Sequence, residues 1–524
     1  VPSAPNPAAL LSLSDRNGLE PLARTLAAKG YRLVATSGTA AAIRALELAC
    51  DEVGDITGYP PLLDGRVKTL HPKIMAGVLA DAQSPTHAAE LRAHDIAPFN
   101  VVAVNLYPFE RTVAAPGVTD AEAMEQIDVG GVTLLRAAAK NYANVSVLTD
   151  AASFAQFIEA LDRDGPSFEE RRRWAAAAFA RCEQYDAAIA RYFAGATGDR
   201  ELPDTLHVDL PLASRLRYGE NPWARAAFYV NRSVPFPNQL SGKTLSYNNL
   251  LDVDSCLRLL APVDEPRGFP ASARSSRRVL AAIVKHTVPS GLAARSSALE
   301  ALTAALGADP VSAFGGIVAC NAPIDEAAAA LLHSRFLEVV AAPSFEPAAL
   351  ELLQKKKNLR LLAFDRDLPA RLLSSAKVRS ALGGVLVEYP DPAAQPDEWK
   401  VVTPRVPTEA QWRDLLFGFA AVRQVKSNAA VVIADEVTLG VCGGQTNRVA
   451  AVELACQRAG DAVKGAILAT DGFFPFADGV EAAARAGIAA VVAPSGSIRD
   501  EEVIAAARAA DIALVFASRR YFLH

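Results

Sequence analysis

Short apolar runs that stop at polar, glycine-bearing turns, each followed by an alanine-rich helical stretch, set the strongest limit on how this 524-residue chain folds. Residues 9–14 form the first such run, and Leu19, Leu22 and Leu26 then fall at helical spacing within 18–28. Residues 31–35 read as a second strand, running into Thr36-Ser37-Gly38-Thr39 and a helical stretch over 40–49. Strands over 101–106 and 143–148 and helices over 134–140 and 169–194 continue the alternation. Strands alternating with helices predict an α/β fold, a parallel sheet covered by helices on both faces. The same grammar at 280–325 recurs loosely at 430–480, with further strands at 466–469, 489–493 and 512–516.

The chain is too long for one core. The polar, glycine-containing stretch 195–203 and the Pro/Asp-rich stretch 388–399 divide it into expected domains at 1–198, 204–388 and 389–524. A net charge of −5 gives no basic footprint for nucleic acid, though it leaves room for a local phosphate pocket. Cys50, Cys182, Cys256, Cys320, Cys442 and Cys456 are scattered without a CxxC pair. This spacing predicts reduced thiols in a reducing, cytoplasmic setting and no zinc cluster. No apolar run is long enough to span a bilayer, and residues 1–9 lack the basic and apolar segments of a signal peptide.

Four stretches of the first third carry chemistry. A strand, the Ser37-Gly38-Thr39 turn and a helix start together make an anion cradle, with backbone N–H groups and two hydroxyls converging; a plain N-cap by Ser37 or Thr39 explains the same residues without a ligand. Asp64-Gly65-Arg66-Val67-Lys68-Thr69-Leu70-His71-Pro72-Lys73 reads as a loop or bent strand, and places Arg66 and Lys68 on one side where extended. Asn105-Leu106-Tyr107-Pro108-Phe109 ends a strand, and Ile127-Asp128-Val129-Gly130-Gly131 precedes the helix that reaches Lys140.

In the middle of the chain, the buried strand 280–284 ends on Lys285-His286 and breaks into Thr287-Val288-Pro289-Ser290-Gly291. A strand end at the carboxyl edge of an open sheet is where ligands bind. An ammonium beside an imidazole disfavours the imidazolium and leaves a neutral base, although a solvated Lys-His pair is the plainer reading.

DGRVKTLHP, NLYPF and IDVGGVTLLRAAAKN resemble the cyclohydrolase half of the bifunctional enzymes of purine biosynthesis, 5-aminoimidazole-4-carboxamide ribonucleotide (AICAR) formyltransferase joined to IMP cyclohydrolase. Arg217-Tyr218-Gly219-Glu220-Asn221-Pro222, the Lys285-His286 stretch and Asp309-Pro310-Val311-Ser312-Ala313-Phe314-Gly315-Gly316 resemble the transferase half. The resemblance implies a methylglyoxal-synthase-like first domain and a transferase of two cytidine-deaminase-like subdomains. It also implies a homodimer with transferase sites at the interface. Lys68, Tyr107, Asp128 and Lys140 match the cyclohydrolase groups: Lys68 and Tyr107 for oxyanion and water loss, Asp128 with Lys140 for proton transfer. Ser12, Ser14, Ser37, Gly38, Thr39, Arg66 and Thr69 match positions that hold the nucleotide.

In the transferase half the resemblance makes His286 the base, Lys285 its partner and Asn428 an oxyanion donor. Arg217, Tyr218, Phe314, Gly315, Gln445, Arg448 and Arg520 match nucleotide and folate contacts. Phe473 and Asp478 suit a pterin ring, which needs a stacking face and an acceptor for its amino edge. The chain departs from the family at Trp223-Ala224, Thr287-Val288, Ser290 and Asn447. The implied reactions use 10-formyltetrahydrofolate and no metal, converting AICAR through formyl-AICAR to IMP. Two other classes share these features. A zinc nucleotide deaminase would need the H-x-E and PCxxC signature, which the sequence lacks. A non-catalytic nucleotide-binding regulator would leave Lys68, Asp128 and Lys140 without a task.

Overall fold

A computed structural model describes residues 7–60, 62–196, 205–206, 208, 210–231, 234–390 and 397–524. The chain forms two compact units, Val1–Asp209 and Leu210–His524. The expected first boundary, at 198–204, lies outside the described residues. The expected division at 388/389 falls inside the second unit.

The first unit is built on a five-stranded, all-parallel sheet in the order Asp51–Glu52, Arg32–Ala35, Ala8–Leu13, Phe99–Asn105, Ser146–Leu148. The predicted strands are present, displaced by one to three residues. The two central strands are mainly apolar because helices cover both faces; Leu10, Val102 and Ala103 are fully buried. Strand order reverses between Ala8–Leu13 and Phe99–Asn105, so their carboxyl ends flank a crevice. Asn105 bridges it, its Oδ1 accepting from the Ser14 and Asp15 amides at 2.6 and 3.1 Å.

Two local expectations change. The helix predicted over 40–49 is Ser37–Arg44, so the Ser-Gly-Thr turn is its first turn. Segment 64–73 is not extended: a 3-10 turn at Leu63–Gly65 leads through further turns into the helix Pro72–Leu79, so Arg66 and Lys68 do not share a strand face.

The second unit holds a twelve-stranded sheet made of two copies of one pattern. The first copy is the hairpin Val279–Lys285 and Val288–Arg295, then helix Ala298–Ala308, strand Ile317–Cys320, helix Glu326–His333, strand Val339–Ala342, helix Pro347–Gln354 and strand Arg360–Ala363. The second is the hairpin Ala430–Ala434 and Val437–Cys442, then Arg448–Ala459, Ile467–Thr470, Asp478–Ala486, Ala490–Pro494, Asp500–Ala509 and Ala513–Ala517 in the same roles. A helix precedes each hairpin, Tyr247–Leu259 in one and Glu409–Val422 in the other. An antiparallel strand closes each outer edge, Asn238–Ser241 and Trp399–Val401. The copies join where Val288–Arg295 pairs antiparallel with Val437–Cys442.

The duplication extends to single atoms. Gly291 and Gly440 sit at matching places on the joining strands, and a Cβ on either would overlap a helix carbonyl, that of Ala305 or Ala455. Only a residue without a side chain lets each helix lie this close to its strand.

Candidate active sites

In the first unit, Asp128 is the N-cap of the helix Val129–Lys140. Its Oδ1 accepts the Gly131 amide at 2.6 Å, while its own amide donates to the Tyr185 hydroxyl at 2.8 Å. That hydroxyl, fully buried on the long helix Phe168–Ala196, donates in turn to the Gln126 carbonyl at 2.6 Å. The glycine pair following Asp128 has a steric cause: a Cβ at Gly130 would meet the Thr69 hydroxyl at 2.6 Å, and one at Gly131 would collide with the Asp128 carboxylate. Burial pushes the Asp128 carboxyl above its ordinary 3.8, against the Gly131 amide, the Lys68 ammonium and the Tyr107 amide, which pull it down.

Asp128 lines a cavity of about 370 Å³ together with Ser12, Lys68, Thr69 and Tyr107. Lys68 also lines an adjoining cavity of about 200 Å³ that holds Thr36 and Ser37 at the helix start. One ammonium therefore stands between the helix N-terminus and the buried carboxylate. Arg66 ion-pairs with Glu125 at the rim. Thr39 is spent on the fold: its hydroxyl accepts the Leu13 amide at 2.9 Å and is buried. Of the two hydroxyls expected in the cradle, Ser37 alone is free to face an anion. Ser14 donates to the Leu106 carbonyl at 2.9 Å and belongs to the strand-end bridge.

Lys140 is not brought to Asp128. It ends the helix that Asp128 begins, and twelve residues at 1.5 Å each separate them by about 18 Å. The expected proton-transfer pair is therefore not formed within one chain.

In the second unit, Lys285 and His286 do not break into a loop. Strand Val279–Lys285 turns directly into Val288–Arg295, with Lys285 paired to Val288. His286 and Thr287 have φ of 56° and 62°, the left-handed pair of a type I′ hairpin. The Asp252 carboxylate accepts both turn amides, from Thr287 at 2.6 Å and from His286 at 3.3 Å. His286 is exposed, and Lys285 Nζ donates to the Phe314 carbonyl at 2.8 Å. Phe314 is 64% exposed and rests on Phe336 at 4.9 Å, which excludes the core-aromatic reading. Lys285 and Phe314, both singled out by the resemblance, are thus brought into contact.

Asn428 and Gln445 also come together, the Asn428 side-chain amide donating to the Gln445 carbonyl at 2.9 Å. They lie on the same sheet edge as His286, with two strands between, a distance of about 14 Å.

The family model described as AICARFT/IMPCHase bienzyme matches residues 138–458, and that described as MGS-like domain matches residues 18–133. The bifunctional purine biosynthesis protein PurH of Chloroflexus aurantiacus is 46% identical over 524 residues, covering 98% of both chains. This chain belongs to the AICARFT/IMPCHase bienzyme family. The protein of the same name from Anoxybacillus flavithermus is 44% identical over 523 residues, covering 98% of this chain and 99% of its own. A solved chain described as ForH is 33% identical over 36% of this chain and 99% of its own, with a TM-score of 0.33.

Several positions matched to the bienzyme family sit elsewhere than expected. Arg448 is buried and ion-paired with Asp471, which is wholly buried and also receives the Ser427 hydroxyl and the Ala429 amide. Arg448 thus braces the backbone beside Asn428, and its guanidinium does not face a ligand. Asp478 is exposed at the start of its helix and accepts the Gly479 amide at 2.7 Å. Phe473 is half-buried, Phe474 is core, and the aromatic face the sequence reading missed is Phe476, 49% exposed beneath Arg499 at 4.8 Å. Arg217 and Tyr218 lie in the loop of a separate two-stranded hairpin, Leu212–Arg215 with Ala227–Tyr229; the Glu220 carbonyl of that loop accepts from the Asn248 side chain at 3.5 Å, at the start of the helix that carries Asp252. Arg520, exposed over Phe522 at 4.5 Å, lines a cleft of about 1160 Å³ that also holds Thr287, Arg423, Lys426 and Tyr521. The six cysteines are buried and unbridged. Among the described residues no group of three His, Cys, Asp or Glu could hold a metal ion, and no helix is long and apolar enough to cross a membrane.

Proposed function

We propose that this bienzyme family member carries out the last two steps of IMP synthesis: formyl transfer to AICAR in the second unit, then ring closure of formyl-AICAR in the first. The observation that carries this reading is the match to bifunctional relatives over nearly the whole chain, together with a separate charged cavity in each unit.

The formyl donor is of folate type, and 10-formyltetrahydrofolate fits the chemistry. The AICAR amine is weakly nucleophilic because its lone pair is delocalised toward the carboxamide. As its nitrogen bonds the formyl carbon, the amine proton passes to the His286 imidazole. The bond from carbon to the folate N10 then breaks, and N10 takes up a proton. Lys285 offsets charge on the tetrahedral oxygen. Asn428, about 14 Å away along the sheet edge, is out of hydrogen-bond reach of a centre held at His286 of the same chain, and its amide is left to contact another part of the bound substrate.

In ring closure the carboxamide nitrogen and the formyl carbon belong to one molecule, so orientation supplies much of the acceleration. Asp128 accepts the proton of the attacking nitrogen; its raised affinity for protons suits it to that task. The carbinolamine oxygen, hydrogen-bonded by Lys68 and Tyr107, takes the proton held by Asp128 and a second from the former formamide nitrogen, so that the C–O bond breaks with loss of water and that nitrogen closes the ring C=N bond. The nucleotide phosphate lies at the Ser37–Thr39 helix start. The match to the bienzyme family supports a homodimer with transferase sites at the interface. The doubled architecture supports a cytidine-deaminase-like reading of each half. Buried, unbridged cysteines favour a cytoplasmic location.

Supplying AICAR and 10-formyltetrahydrofolate should yield IMP, followed by absorbance. Formyl-AICAR accumulating without IMP would remove the first unit from the reading.

A further inference from the structure

The role of His286 rests on the reading above; what aims its side chain is visible in the fold. We propose that Asp252 is a positioning residue for formyl transfer: its carboxylate locks the left-handed His286–Thr287 turn and thereby points the imidazole at the substrate amine. Neither turn residue is glycine, and both hold positive φ, 56° and 62°. Left-handed backbone is costly for residues with a Cβ and persists only where its surroundings impose it. Here the constraint is one side chain reaching from the helix Tyr247–Leu259, 34 and 35 residues earlier in sequence. Two parallel N–H donors need two acceptor oxygens on one group, which a carboxylate provides.

The second copy shows that this is a device and not a chance contact. Asp435 and Glu436 occupy the equivalent turn with φ of 55° and 56°. The Asp414 carboxylate, on the equivalent helix, accepts their amides at 3.1 and 2.6 Å. That turn has further support: Arg277 and Arg295 pair with Asp435, and the Ser275 hydroxyl donates to Glu436 at 2.9 Å. Among the described residues the His286 turn has no such cations: besides the Lys285–Val288 strand pairing and the Thr287 hydroxyl donating to the His286 carbonyl at 2.7 Å, Asp252 is the side chain that holds it.

The test compares formyl transfer in the full-length protein carrying Asp252→Asn, Asp252→Glu or Asp414→Asn. An asparagine offers one acceptor and turns its NH₂ against the second amide, so it releases the turn. A glutamate keeps both acceptors and displaces them, so the fold is retained while the aim shifts. A shift of about 1 Å costs about a hundredfold. Asp252→Asn and Asp252→Glu should each lower kcat for formyl transfer by about that factor, with KM for AICAR and ring closure of supplied formyl-AICAR unchanged. Asp414→Asn should keep the transfer kcat. Wild-type kcat in Asp252→Glu, or equal losses in Asp252→Asn and Asp414→Asn, overturns the proposal. Loss in His286→Ala with none in either Asp252 variant removes the positioning role alone. No loss in His286→Ala removes the assignment of His286 beneath it.

Discussion

The two hairpin turns of the second unit share a backbone and differ in everything that backbone carries. One presents Lys285 and His286 to an open edge; the other presents Asp435 and Glu436 to Arg277 and Arg295, which neutralise them. Segment 261–278, which reads as an exposed loop, delivers Arg277 to the second turn. The first turn keeps its polar groups available for a ligand. The pair teaches that chemistry here depends less on the loop geometry than on whether neighbouring charges have already been spent.

The comparison can be broken most sharply by alanine at matching positions. His286→Ala should lower formyl transfer by about 10²–10⁴-fold, the usual contribution of a positioned base, whereas Asp435→Ala should leave it near wild type. Equal losses in single-turnover assays would mean that the second turn also reacts. Lys68→Ala sharpens the contrast from outside, because it alters neither turn. Ring closure should fall about 10²–10³-fold while formyl transfer persists; cyclisation of purified formyl-AICAR at an undiminished rate would refute the placing of Lys68.

A smaller effect is expected from Arg277→Ala. It leaves the nearly buried Glu436 carboxylate with Ser275 alone, at a cost of about 1–3 kcal/mol. Chemical denaturation should show that loss with kcat for formyl transfer intact; a fall in kcat would tie the second turn to the reaction. The smallest effect is in pH. Burial raises both Asp252 and Asp414 above the ordinary 3.8. Between 3.8 and the folded-state values, the folded chain binds more protons than the unfolded chain. These two groups therefore make stability rise as pH falls through that window. Urea midpoints over a pH series should lose part of this slope in Asp414→Asn, and an unchanged slope would show that the carboxylate titrates normally.

Most strands were legible because apolar runs bounded by polar turns leave little choice. The cavity at Asp128 was legible through its motif, and the glycine pair after it has a geometric cause that the sequence displays. The Lys285–His286 turn was not legible. Type I′ turns are recognised by Asn-Gly or Asp-Gly, and neither His286-Thr287 nor Asp435-Glu436 has a glycine. The information lies in two distant aspartates whose spacings to their turns differ, 34 residues for Asp252 and 21 for Asp414. Aligning the helix before each hairpin would have exposed the matching aspartates. Lys140 was misplaced for a simpler reason. The helix was expected from residue 134, and starting it at Val129 makes its length decide against the Asp128 pairing. The pairing of Arg448 with Asp471 was not legible because sequence does not reveal which charges are buried together.

The bare positions on the joining strands reach further than packing. Helix Ala298–Ala308, seated against Gly291, runs directly into the segment that carries Phe314, whose carbonyl receives Lys285. One absent methyl thus fixes the height of an aromatic shelf beside Lys285. An alanine there would lift that shelf without altering Lys285, His286 or Phe314 themselves.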